Sequence, residues 1–181
     1  MNKKSGAPKR GAALIFLAAC VLFSLLVLGG SKLSSLRAGA MQLYEGGEQS
    51  ILADLAKHNE NAYNIITVGK RLLGDGDAAV KGAEDAYKAM NGANGPAAKF
   101  AADAELDAAI ATLVARLDES GMNQKDATLV NGQKADMYSR DMIISHSEYN
   151  ARVAEYAQAV SGFPGSMIAA LRGLSVPEYY R

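Results

Sequence analysis

The stretch GAALIFLAACVLFSLLVLGGS, residues 11–31, carries no charged side chain, and Ala12–Leu28 is dominated by Ala, Leu, Val, Ile and Phe. An α-helix rises 1.5 Å per residue, so about 20 residues cross the ~30 Å hydrocarbon core of a bilayer. The run is long enough to span. It divides the 181-residue chain into a basic head (residues 1–10), a transmembrane anchor (11–31) and a polar remainder the size of one ordinary domain. Lys3, Lys4, Lys9 and Arg10 precede the run, against Lys32 and Arg37 close behind it. The positive-inside rule then keeps residues 1–10 in the cytoplasm and sends the domain across the membrane.

Two processing signals compete with a retained anchor. The basic head, the apolar run and Ala38-Gly39-Ala40 outline a secretory signal peptide, but the run exceeds the ~7–15 residues of such an apolar region, and Lys32 and Arg37 lie between it and the cut. Leu17-Ala18-Ala19-Cys20 has the form of a lipoprotein cleavage site. Cleavage there would leave apolar Val21–Leu28 where a polar tether is usual. The expectation is a single-pass anchor in the bilayer, and the alternative is a secreted or lipid-anchored binding domain.

After the span stand 15 basic and 19 acidic residues, a net charge of −4 with no basic stripe. Phosphate backbones require clustered Lys and Arg, so nucleic acid is not an expected partner. Cys20 is the only cysteine and excludes an intramolecular disulfide.

The remainder is rich in Ala, Leu, Glu, Lys and Gln and shows no sustained apolar/polar alternation, which predicts helices. The first continues from the membrane to about Leu73, with apolar residues such as Ile51, Leu55, Ala62, Ile65 and Ile66 at three- and four-residue steps. Gly46-Gly47 marks a bend or break in it. Gly74-Asp75-Gly76-Asp77 ends it and caps a second helix over 78–90. Asn91–Pro96 is a breaker cluster. A third helix over 97–119 aligns Phe100, Leu106, Ile110, Leu113, Val114 and Leu117. A fourth runs from Gln124 to Val160 and stops at Gly162-Phe163-Pro164-Gly165, because proline cannot continue a helix. Ser166–Leu174 forms a last short helix, and residues 175–181 a tail. The expected fold is all-α: an antiparallel up-and-down bundle of about four helices over residues 32–174. Tyr138, Tyr149 and Tyr156 belong to its core. Phe163 folds onto the bundle end with Met167, Ile168 and Leu171.

No pattern points to catalysis. His58 and His146 are the only histidines, and neither stands in a zinc-protease helix motif. A zinc site needs three or four N, S or O ligands, so either histidine would require carboxylates brought in by the fold. Surface or helix-end positions are expected for both. Asp75-Gly76-Asp77 opens like a calcium loop, but Ala86 stands where the bidentate Glu belongs. The neighbours Glu84-Asp85 and Asp118-Glu119 point about 100° apart on a helix and imply no pocket. Ser166 lacks the frame of a nucleophile elbow, and there is no dinucleotide or phosphate-loop glycine pattern. No catalytic, cofactor-binding or metal-ligating residue is expected, and folding is expected to withstand chelators.

Three stretches carry a family resemblance: Tyr149-Asn150-Ala151-Arg152-Val153-Ala154-Glu155-Tyr156, Phe163-Pro164-Gly165-Ser166-Met167-Ile168-Ala169, and Pro177-Glu178-Tyr179-Tyr180. Together they resemble the C-terminal signature of the bacterial LemA family, with weaker similarity over Ile51–Leu73 and Glu105–Leu117. The chain departs from that pattern in having no Trp and in carrying Met142-Ile143-Ile144-Ser145-His146 where an Asn-Arg-Ile type of segment is usual. The resemblance implies a helical bundle anchored in the bacterial cytoplasmic membrane, non-enzymatic and without an agreed molecular role. A scaffold that binds another envelope protein, or a second copy of itself, is the reading it favours. A hydrolase assembled from carboxylates and His58 or His146 is the alternative.

Overall fold

The computed structural model describes residues 8–181, and no strand occurs among them. Lys3 and Lys4 of the basic head lie outside the described residues. The helices are α1 (Pro8–Ser24), α2 (Gly30–Glu45), α3 (Ile51–Leu73), α4 (Ala78–Gly92), α5 (Pro96–Glu119), α6 (Gln124–Ser145), α7 (Tyr149–Ser161) and α8 (Gly165–Arg172). A π turn, Leu25–Gly29, joins α1 to α2, so that Gly11–Glu45 is one helical stretch of 35 residues.

The turns follow from local chemistry. Ser50 caps α3 by accepting from the Ala53 amide at 3.3 Å, which makes the break expected at Gly46-Gly47 a real one. Asp77 accepts from the Ala79 amide at 2.8 Å, the capping role read from the sequence. Asn123 opens α6 reciprocally: its Oδ1 accepts from the Asp126 amide, and its Nδ2 donates to the Asp126 carboxylate. The single helix expected over 124–160 is two helices. Ser147 interrupts it, its hydroxyl accepting from the Tyr149 amide at 3.3 Å, as Ser side chains do when they compete with the helix ladder.

By contact the chain groups into two units. One comprises residues 1–39 and 151–177, the other residues 40–150 and 178–181. In the first, Leu33, Tyr156, Ile168 and Ala169 form a small core flanked by Leu26, Leu36, Val160 and Leu174. Helix α8 lies against the π turn, and a Cβ at Gly29 would meet the end of Ile168, so glycine permits this close approach. Phe163 is not part of that core. Its ring is 80% exposed, as is most of Leu171, which corrects the expectation that both fold inward.

In the second unit α3 packs against α4, α5 and α6, and α4 packs against α5. Leu55, Ile65, Ile66, Val80, Leu106, Leu113, Leu117 and Val130 are almost fully buried. Burying each such side chain contributes about 1.5–3 kcal/mol, an upper figure given compact denatured states. Tyr149 is buried, whereas Tyr138 stands 67% exposed on α6, outside the core expected for it.

Candidate functional site

The apolar stripe of α3 includes Leu55, Ala62 and Ile65, and the position between them on that face is His58. A residue there is carried into the core regardless of its polarity, and His58 is 0% exposed. This corrects the surface or helix-end placement expected for it. On α5 the same logic applies to Asp103, seven residues before Ile110 on the buried stripe, and it is 8% exposed. Asp107 follows one turn later, and Asp141 comes from α6.

These residues converge. His58 Nε2 lies 3.0 Å from Asp107 Oδ1 and 3.4 Å from Asp141 Oδ1, while Nδ1 faces Asp103 Oδ1 at 3.4 Å. His58 Nδ1, Asp103 Oδ1 and Asp141 Oδ1 are buried and have no hydrogen-bond partner. Among the described residues no Lys or Arg pairs with the three carboxylates, although Lys134 borders a cleft shared by Asp107 and Asp141.

The tail completes the arrangement. Tyr180 donates its hydroxyl to Asp103 Oδ2 at 3.1 Å, and its ring meets Phe100 edge-on at 5.3 Å between centroids. Asn150 pairs with the Tyr180 backbone in both directions at 2.9 Å, and the Tyr149 hydroxyl donates to the Glu178 carbonyl at 2.6 Å. Tyr149-Asn150 and Glu178–Tyr180 are thus the two halves of one clamp. Beside it opens a cavity of about 440 Å³, with Asp103, Asp107, Asp141, Tyr149, Asn150 and Tyr180 in its lining.

Charge crowding shifts the titrations. Burial works against a charged His58, but the Asp107 hydrogen bond and the field of Asp103, Asp141 and Asp107 outweigh it and raise its pKa. Burial raises Asp103, with His58 opposing and Asp107 adding to the rise. Asp141 is pushed up to about 6, first by burial and then by its carboxylate neighbours, against the pull of His58. Tyr180 is raised by burial and by Asp103, so its hydroxyl remains a donor.

His146 behaves as expected. It caps the C-terminus of α6, exposed, with Nδ1 2.7 Å from the Met142 carbonyl. Asp75, Asp118, Glu119 and Ser166 are exposed, while Glu84 pairs with Lys70 and Asp85 with Lys88. None of them lies at the cluster. Chemically the cluster offers a proton acceptor pair and oxygen ligands. Ser145 and Ser147 border the cavity, but among the described residues no side-chain hydroxyl is hydrogen-bonded to His58.

No family model matches the chain, and no curated protein matches its sequence.

Proposed function

We propose that the chain is a single-pass, membrane-anchored helical scaffold of the LemA kind. Its N-terminus is cytoplasmic, its helices form an up-and-down bundle outside the cytoplasm, and it works by holding another protein of the bacterial cell envelope. The observation that carries this reading is the helical stretch Gly11–Glu45, which is long and apolar enough to cross a bilayer and whose most apolar part is buried nowhere in the fold. A soluble protein gains nothing from leaving such a face in water, whereas a bilayer solvates it. The pairing of Tyr149-Asn150 with Glu178 and Tyr180 adds support, since it gives two widely separated parts of the resemblance a joint structural purpose. Tyr138 and Met142, exposed one turn apart on α6, suit a protein-facing surface.

The test is crosslinking in intact membranes followed by mass spectrometry, with alkaline carbonate extraction beside it. Retention in the carbonate pellet and a reproducible envelope-protein adduct through α6 are expected. Release into the carbonate supernatant would overturn the anchor, and adducts with no partner or second copy would overturn the scaffold.

A hydrolase built on His58 and its carboxylates is the second reading, favoured by the raised Asp141 beside a cavity.

A further inference from the structure

An imidazole flanked on both nitrogens by carboxylates stands in a crowd of negative charge that a proton or a cation can relieve. It can be protonated and shared among them, which leaves Asp103, Asp107 and Asp141 with a surplus of two negative charges in a half-buried place. Alternatively a divalent cation sits between Nε2 of the neutral imidazole and the two carboxylates on that side, and the surplus falls to one negative charge, that of Asp103.

Two of the distances match those within a ligand set. Ligands about 2.1 Å from one ion, at angles of ~90–109°, stand roughly 3.0–3.4 Å from one another. His58 Nε2 stands 3.0 Å from Asp107 Oδ1 and 3.4 Å from Asp141 Oδ1, and the three residues each bring one ligand atom within 4.8 Å of the others. A hydrogen bond accounts for the first of these contacts. It leaves Asp141 Oδ1 buried and unpartnered, a costly state for a carboxylate oxygen.

The far side of the ring has the matching arrangement. Metal-bound histidines donate their other N–H to a carboxylate, which fixes the tautomer and makes the ligating nitrogen more basic. Asp103 faces His58 Nδ1 at 3.4 Å, just beyond hydrogen-bond length, and is itself held by the Tyr180 hydroxyl. His58 is fully buried and Asp103 more than nine-tenths buried, so both are aimed by the core and not by solvent.

We propose that His58 Nε2, Asp107 and Asp141 bind one divalent first-row transition ion, with Asp103 and Tyr180 as positioning residues behind the histidine. One nitrogen and two oxygens suit Mn2+ or Zn2+ better than Mg2+ or Ca2+, which prefer oxygen throughout. The remaining coordination positions face the cavity bordered by Asp107 and Asp141, open to water or to an oxygen-donor ligand. The site stands whether or not the scaffold reading does, since it involves no partner protein.

The experiment uses the full chain in detergent micelles, stripped with EDTA and passed into metal-free buffer. It is titrated with MnCl2, ZnCl2 and MgCl2 by calorimetry, and Mn2+ is followed by its spin resonance. One saturable Mn2+ or Zn2+ per chain is expected, with Mg2+ weaker. Asp107→Asn and Asp141→Asn should each weaken binding at least ~tenfold. His58→Gln should abolish it. If His58→Gln fails to fold, Asp107→Asn decides, because that side chain is 43% exposed and its loss leaves the core intact. Tyr180→Phe should preserve the stoichiometry and weaken affinity less than the ligand variants do. Absence of saturable binding at millimolar metal overturns the site, as does unchanged binding in Asp107→Asn and Asp141→Asn.

Discussion

At the scale of single residues, the buried cluster ties stability to pH. His58 has a raised folded pKa, so its contribution is full below its unfolded value near 6.5 and is lost as pH climbs through the folded value. Asp103 and Asp141 are acids with raised pKa. The fold disfavours their charged forms, so they too subtract stability as pH rises, Asp141 around 6. Asp107 and Tyr180 face the same ring and the same carboxylate. The two effects share a sign, and the metal-free protein should melt lower at pH 8 than at pH 5.5. Solvent at Asp141 reduces the effect to on the order of 1 kcal/mol, or about 2–4 °C. Melting curves in EDTA across that range check this, and a flat profile or the opposite slope would count against it. The sequence reading put His58 at the surface and did not single out Asp103, although the pattern held a signal for both. His58 and Asp103 each occupy a position on an apolar stripe, and a polar residue there must find a partner. Asp107 and Asp141 sit on the shoulders of their helices, where an acid is ordinary, and only the packing of α3 between α5 and α6 gives them a role.

At the scale of elements, helix ends were readable where a special residue imposes them. Gly46-Gly47, Asp77 and Pro164 all mark ends that the structure contains. The end of α6 escaped because Ser147 stops it through a side-chain bond that many serines never make. Phe163 shows a different limit. Pattern identifies the side of α8 that carries Ile168, but not what a neighbouring ring will meet. Since the ring is exposed, Phe163→Ala should change stability by less than about 1 kcal/mol in chemical denaturation. Gly165→Ala should cost more, ~1–3 kcal/mol, because its Cβ would collide with the Ala159 carbonyl oxygen, a backbone atom that cannot step aside. Finding the two reversed would mean that the corner is packed through Phe163 after all.

For the whole molecule, the question is whether the first 31 residues stay. Leu33 and Ala40 are buried, and Leu26 and Leu36 flank the same small core as Leu33. Removal of residues 1–40 would strip these from the fold, and Ala40, at 0% exposure, is a poor peptidase target once folded. N-terminal sequencing of membrane-extracted protein should therefore find the anchor intact; a start at Met41 or Cys20 would refute that. The interleaved grouping of the chain also has a consequence for inheritance. Many anchored proteins are cassettes, a span joined to a domain by a linker, and recombination can trade one for another. Here the unit that holds the apolar run also claims residues 151–177, and the other unit must recover residues 178–181 after that excursion. A crossover or a premature stop near residue 150 would deliver α3–α6 without Tyr180, leaving Asp103 without its hydroxyl donor. For the cluster to form, residues 178–181 must therefore be inherited together with α3–α6.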